Sequence, residues 1–478
     1  MKRRQLLGAG IAAGAGLVVL RSGILRAGES PNGKLNIACI GVGGRGGADL
    51  DGVKSENIVA LCDVNALNLA KAAEKYPQAQ KYSDWRKCLD QKDIDAVVCA
   101  TTDHTHAFVN VWAMNRGKHV YCEKPLANSV HEAHLVRETY LKNKDKIATQ
   151  MGTQIHASDN FRRVVELVKG GAIGVPKEVR VWCSRTPEGG NYPPGAGDPP
   201  AHLNWDLWIG PSPMHPYNPG YLGGCLAWNR FWDFGSGQIG DMGSHMMDLA
   251  YWALDLRLPT SCEAQGSPLS TDTCPTWLTA KWEHPANDWR PAVDVYWYDG
   301  GKKPGMPSGV FNREDMFKGL LFSGDKGYLI ADYDYRVVMP TKGDMTQYKS
   351  PRPEDLIPPS KGHHKEWIDA CKTDKKTLCN FDYSGALIEN NLLALVSFRL
   401  GKVEARKQEK QPEKTRGKAK AKEPAAEKAA EKAGEKDMEM YTVGRKLQWD
   451  AKTLKATNCP EADQYVTKKY RDGWTLSG

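Results

Sequence analysis

An apolar run from Leu35 to Ile40 leads directly into Gly41-Val42-Gly43-Gly44-Arg45-Gly46, and this stretch restricts the fold more than any other. Glycines in a G-x-G-x-x-G pattern between a strand and a helix allow a tight turn and bring bare N–H groups to a helix N-terminus, where a pyrophosphate binds. A second apolar run, Ile58 to Cys62, ends on Asp63, twenty residues beyond Gly43. That is the offset at which a dinucleotide fold places the acid that accepts from the adenosine ribose. Glycine-rich loops are common in structural roles, but strand, helix and acid together point to nucleotide binding through Gly41, Gly43, Gly44, Arg45, Gly46 and Asp63. Asp63 repels a 2′-phosphate and no basic residue follows in Val64-Asn65, so NAD is expected over NADP.

At 478 residues the chain exceeds one ordinary core, so two domains are expected. The formal charge of +8 is confined to two segments: residues 1–29 and 402–437 each carry a net +4, leaving a neutral body. A neutral body without a recognition motif argues against a nucleic-acid partner. Lys2-Arg3-Arg4-Gln5-Leu6-Leu7, a Gly/Ala stretch to Leu20 and small residues near Ala27-Gly28 have the layout of a twin-arginine-type export signal. The stretch is too short for a stable membrane span, so the expected location is periplasmic. Four of the twelve cysteines, Cys39, Cys62, Cys99 and Cys122, fall in or beside predicted strands, where a thiol behaves as a small apolar group. No Cys/His spacing fits a zinc site, and no structural metal is expected.

Strands at Ala96–Ala100 and His119–Cys122 alternate with helices at Asn65–Lys75, Ala107–Arg116 and Val130–Lys142. That alternation predicts an α/β Rossmann domain, a doubly wound parallel sheet spanning 34–152. From Val175 the rhythm becomes strand-rich, with Gly324-Asp325-Lys326-Gly327 as hairpin chemistry between Gly319–Ser323 and Tyr328–Ala331. Residues 153–478 are therefore expected to form an α+β domain with a largely antiparallel open sheet. Residues 186–235, rich in Gly, Pro and Trp, are too long to be a mere connector. The Lys/Glu/Ala tract 402–437 lacks large apolar residues and reads as a solvated insert.

Reactive groups gather in two further places. Thr101-Thr102-Asp103-His104-Thr105-His106 and Glu123-Lys124-Pro125 follow consecutive strands, at the carboxyl edge where open α/β sheets bind ligands. Thr101, Thr102, His104, His106, Glu123 and Lys124 are accordingly cofactor-side candidates. Gly240-Asp241-Met242-Gly243-Ser244-His245 opens an apolar helical run through Leu254. Residues 241, 245 and 248 share one helix face, so Asp241 and His245 read either as an acid orienting a base or as a cap beside a packed histidine. Asp248 is a spare acid, equally well a surface polar residue.

Taken in order, these motifs resemble the Gfo/Idh/MocA oxidoreductases, from about Lys34 onward with the charged insert omitted. Thr102 departs from the resemblance, since proline usually follows the threonine there. The resemblance implies that Lys124, Asp241 and His245 form the catalytic group of an oxidoreductase acting on a secondary alcohol of a sugar or polyol. In that reading His245, with an ordinary imidazole pKa of about 6.5, takes the hydroxyl proton; Lys124 steadies the oxygen; and Asp241 orients the histidine or the lysine. Trp205, Trp208, Trp228 and Trp232 are expected to stack on a sugar, with Asn204, Arg230 and Asp233 bonding its hydroxyls. The resemblance also implies possible homo-oligomers. An alternative is redox-neutral glycoside cleavage by transient oxidation and elimination, and a third is a nucleotide-retaining binding protein. Export would favour a tightly retained cofactor, since free NAD is scarce outside the cytoplasm.

Overall fold

Six short strands, β1 (Asn36–Ile40), β2 (Asn57–Cys62), β3 (Gln80–Tyr82), β4 (Ala96–Cys99), β5 (His119–Cys122) and β6 (Thr149–Met151), pair in parallel in the order 3-2-1-4-5-6. The computed structural model describes residues 33–308, 310, 316–341, 351–407 and 438–477. The expected export signal, residues 1–29, lies outside them. Helices α1 (Arg45–Gly52), α2 (Ala66–Lys75), α3 (Trp85–Leu89), α4 (Asp103–Asn115) and α5 (Val130–Asn143) connect the strands. Strand order reverses between β1 and β4, which opens the crevice where such sheets bind ligands. Helix α4 starts four residues earlier than its apolar pattern shows, so Asp103-His104-Thr105-His106 is its first turn rather than a loop. Thr102 caps it at φ −74°, a value proline also adopts, so the departure from the family pattern leaves the backbone path intact.

After α6 (Asp159–Lys169) the chain builds a second, mixed sheet from β7 (Pro176–Cys183), β8 (Ser261–Gly266), β9 (Leu278–His284), β10 (Val293–Asp299), β11 (Lys318–Gly324), β12 (Gly327–Ala331) and β13 (Arg336–Pro340). Its pairings are antiparallel except β7 with β10. Between β7 and β8 lie α7 (Trp205–Ile209), α8 (Cys225–Trp228) and α9 (Gly237–Leu254). Helix α9 is buried almost all round, with Met246, Met247, Leu249, Ala250 and Tyr251 fully enclosed. It packs against α6 and α11 (Phe381–Arg399) and against β7, which makes it a central post rather than a surface helix.

Two features depart from the expected division at 152/153. Helix α10 (His363–Cys371) returns to the first sheet, where Trp367 and Ile368 join a core with Leu35, Ile37 and Tyr121. Near the C-terminal end of the described residues, Tyr470 and Trp474 pack on Phe108 of α4, with Trp474 also against Trp85 of α3. The expected insert 402–437 is also shorter than its composition shows. Strand β14 (Lys402–Lys407) pairs with β15 (Met438–Val443), and Lys407 faces Met438. The rest of the tract lies outside the described residues. All twelve cysteines are free, eleven of them buried.

Candidate active site

The nucleotide end is built by close backbone approach. Gly41 has φ +79°, and a Cβ there would stand 2.5 Å from the Ala100 carbonyl oxygen. At Gly46 a Cβ would stand 1.8 Å from the Gly41 carbonyl, so no larger residue lets α1 start this near β1. The Asp63 carboxylate accepts from the N–H groups of Val42 (2.9 Å), Gly43 (3.2 Å) and Asn65 (2.8 Å), fixing the glycine loop to the end of β2. No side chain caps α1, which leaves its first turn open to an anion. A cleft of about 340 Å³ runs past Gly41, Gly43, Gly44, Arg45, Asp63, Thr101 and Thr102. Arg45 is the cation among the lining residues, and its guanidinium is already shared between Glu123 (3.0 Å) and Asp49 (2.9 Å). A glycine cradle, an open helix start and a ribose-side acid fit a dinucleotide.

The 186–235 stretch roofs this cleft. Leu203, Leu207, Trp208, Tyr221 and Trp228 line it opposite the glycine loop. The roof is stitched directly after Asp63: Asn65 and Leu203 form an antiparallel bridge, Asn204 N–H donates to the Val64 carbonyl (2.9 Å), and Ala66 N–H to that of His202 (2.8 Å). Inside the roof, Trp205 and Trp208 stack at 4.7 Å, while Tyr221, Phe231 and Phe234 are completely or almost completely buried.

The chemical end is assembled from three distant segments. Lys124, following β5 and joined to Pro125 by a cis peptide, donates to Asp241 Oδ1. Arg185, just past β7, donates from its NH1 to Oδ2 of the same carboxylate at 2.8 Å. Burial pushes Asp241 up, but the two cations outweigh it and hold the carboxyl below its ordinary range. Burial pushes Lys124 down, and Asp241 more than reverses it, so the ammonium stays charged. One helical turn on, burial and the Lys124 charge push His245 down to about 3. Among the described residues its Nδ1 has no hydrogen-bond partner. The site therefore joins a charged lysine, an ionised aspartate and a neutral imidazole, the set needed to hold an alcohol oxygen and accept its proton.

Two family models match the chain: an oxidoreductase family with NAD-binding Rossmann fold over residues 35–151, and the same family's C-terminal alpha/beta domain over residues 161–286. The chain belongs to the Gfo/Idh/MocA oxidoreductase family. Among relatives, inositol 2-dehydrogenase of Salmonella typhimurium is 31% identical over 125 residues, 26% of this chain and 37% of that protein. Levoglucosan dehydrogenase of Pseudarthrobacter phenanthrenivorans is 29% identical over 197 residues, 40% of each chain. The chain thus spans well under half the length of these relatives. In fold, it is similar to the WlbA dehydrogenase of Bordetella pertussis, whose structure is a complex with NADH and UDP-GlcNAcA. That likeness has a TM-score of 0.52 at 16% identity and covers 74% of this chain and 93% of the other.

Within this Gfo/Idh/MocA architecture, the expected residues divide. Gly41, Gly43, Gly44, Arg45, Asp63, Thr101 and Thr102 face the cleft, and Gly46 shapes it; Lys124 and Asp241 are in contact, with His245 beside them. His104 and His106 do not face the cofactor cleft. His104 sets its ring nitrogens against the carbonyls of Trp208 (3.1 Å) and Phe234 (3.4 Å), and His106 against those of Pro125 (2.7 Å) and Thr101 (2.9 Å). Glu123 anchors Arg45 and accepts from Gln154 (2.6 Å). Among the described residues Asp241 bonds Lys124 and Arg185 and makes no hydrogen bond to His245, so it orients the lysine, and burial with the Lys124 charge places the His245 pKa below the ordinary imidazole value expected.

Most sugar-side candidates are engaged by partners within the roof segment. Asn204 caps α7, Trp205 donates to the His215 carbonyl, Arg230 pairs with Glu188 and Asp233 with His215, leaving Trp208 and Trp228 on the cleft. Trp232 is buried, donating to the Ser270 carbonyl. Asp248 is fully buried between His156 (2.9 Å) and the Tyr383 hydroxyl (2.7 Å), not a surface residue. Sequence reasoning missed Arg185. Its position at the carboxyl end of β7 follows the same rule that singled out Lys124, but β7 lies in a sheet of another kind. Two buried groups have metal-like proximity, Cys99-His106-Cys122 and His156-Asp248-Cys379. In each, the histidine already makes hydrogen bonds to backbone carbonyls or to Asp248.

Proposed function

We propose that this chain is an NAD-dependent oxidoreductase acting on a secondary alcohol of a sugar or polyol, with its nucleotide tightly held. The observation that carries the reading is the Lys124–Asp241 pair beside a neutral His245 whose Nδ1 is unpartnered, next to a glycine-cradled cleft. The names of the inositol and levoglucosan dehydrogenase relatives support the substrate class. Asp63, with no cation beside it in Val64-Asn65, supports NAD over NADP.

A bound nicotinamide supplies the hydride acceptor. Lys124 donates to the substrate oxygen and stabilises the negative charge that grows on it. His245 accepts the hydroxyl proton as the carbinol carbon loses hydride and becomes a carbonyl, so two electrons and one proton are accounted for. Asp241 keeps Lys124 charged and aimed, and the roof limits water. The roof's backbone stitches to residues 64–66 support slow nucleotide release, and the same feature favours a second reading, redox-neutral glycoside cleavage with a cofactor that never leaves. Export by a twin-arginine route belongs to the same proposal.

Denaturing the purified protein and identifying the released nucleotide tests retention, and recovery of stoichiometric NAD or NADH is the expected result. Oxidation of a free sugar with reduction of the bound NAD, continuing beyond one turnover only when an electron acceptor is supplied, selects the dehydrogenase; release of p-nitrophenol from an aryl glycoside without net NADH selects the cleavage reading.

A further inference from the structure

We propose that the substrate carries a carboxylate close to its reacting carbinol and that Arg185 is the residue that reads it; this rests on the oxidoreductase reading above. The starting point is a charge imbalance. Lys124 and Arg185 share the single carboxylate of Asp241, one on each oxygen. The other acids in the neighbourhood do not offset the second cation. Asp103 is buried, and burial with Asp241 nearby raises its carboxyl well above the ordinary range despite Lys124. Asp248 is committed to His156 and Tyr383, Glu123 to Arg45 and Gln154, and Glu188 to Arg230. Partial desolvation and Asp241 raise the Cys225 thiol, and His245 is held down to about 3. Two cations thus share one carboxylate, and the partly exposed one, Arg185, has donors to spare, an arrangement that favours an anion.

The geometry says where that anion sits. The Arg185 side chain is 35% exposed, and among the described residues its guanidinium makes one side-chain hydrogen bond, leaving the rest of its fork available. The wall beside it holds Tyr333, which packs edge-on to His245 at 6.4 Å, and Lys318, whose ammonium stands 4.3 Å over the Tyr333 ring. Lys124 and Arg185 stand on the two oxygens of one carboxylate, so their separation is set by that single group. That separation suits a hydroxyl on Lys124 and a carboxylate on Arg185 from neighbouring or next-neighbouring carbons, as in uronic and aldonic acids. Such an anion also offsets the positive charges that oppose a proton on His245, so the imidazole becomes a better acceptor only when the acid is in place.

The test uses the full-length, nucleotide-loaded protein and three pairs: glucose and glucuronate, galactose and galacturonate, sorbitol and gluconate. The expected result is a kcat/KM at least tenfold higher for the acid in one or more pairs, with the margin shrinking as salt rises. Calorimetric titration of Arg185→Gln should show the acid losing at least tenfold more affinity than its neutral partner loses, with Arg185→Lys recovering part of that difference and guarding against misfolding. Equal use of neutral and acidic members, or an Arg185→Gln loss equal for both, overturns the proposal and leaves Arg185 as a positioning residue for Asp241. Arg185-dependent binding of acids without any oxidation upholds the anion site while overturning the oxidoreductase reading. Absence of both binding and oxidation overturns the two together.

Discussion

The two ends of the cleft are built in opposite ways. The nucleotide end comes from one continuous span, Gly41 to Asp63, whose parts hold each other through backbone hydrogen bonds and exclude a Cβ at Gly41 and Gly46. The chemical end is gathered from Lys124, Arg185, Asp241 and His245, and its contacts are side chain to side chain across 117 and 56 residues of sequence. A site fixed by backbone tolerates little change anywhere in its span. A site fixed by charge fails at single atoms while its surroundings stand. Damage to one end should therefore leave the other readable.

The largest effect is expected at the chemical end. His245→Ala and Asp241→Asn should each lower turnover at least about a hundredfold, while the nucleotide recovered on denaturation stays at wild-type level. Loss of nucleotide in either variant would break the comparison. At the other end, Asp63→Ala should weaken NAD by about 1.5–3 kcal/mol, the range of a hydrogen bond to a charged group, and equilibrium dialysis of stripped protein measures it. Gly46→Ala should lower nucleotide content through its clash with the Gly41 carbonyl, with the 124–241 pair undisturbed.

The roof joins the two ends, and its effects should be smaller. His104→Ala removes the ring that meets Trp208 and Phe234, and nucleotide exchange should quicken by roughly tenfold, the scale of one or two lost hydrogen bonds. Turnover should change less than twofold. The smallest expected effect is a null: the His245 ring resonance, assigned against His245→Gln, should show a neutral imidazole from pH 8 down to 5, since burial holds its pKa near 3. A transition near 6.5 would mean that water reaches the ring.

This contrast also explains what could be read in advance. The glycine loop, Asp63 and the parallel strands were legible because their signals are local: apolar runs, turn residues and short fixed offsets. Lys124, Asp241 and His245 were legible by resemblance, but their pairing was not. One-turn spacing aligned Asp241 with His245, and only the tertiary placement of Arg185 and Lys124 shows that the carboxylate pairs with those two cations. The roof tryptophans illustrate the same limit. Trp205 and Trp228 look alike in sequence, yet one is stacked inside the roof and the other lines the cleft. Helix α11, buried on every side, lacked the one-sided pattern that marks a surface helix.

Helix α10 and the packing of Trp474 on Trp85 and Phe108 carry a consequence for biosynthesis. The nucleotide fold is encoded almost wholly within the first third of the sequence. One face of its sheet, packed by α1 and α2, is not fully covered until residue 371 has been made, and its α3–α4 surface stays open until residue 474. A ribosome-bound nascent chain halted at residue 200 should thus fail to capture NAD although it carries every motif for doing so. Cofactor loading becomes a late event, coupled to completion of the polypeptide, and the loaded state certifies that both halves have been translated and have found each other.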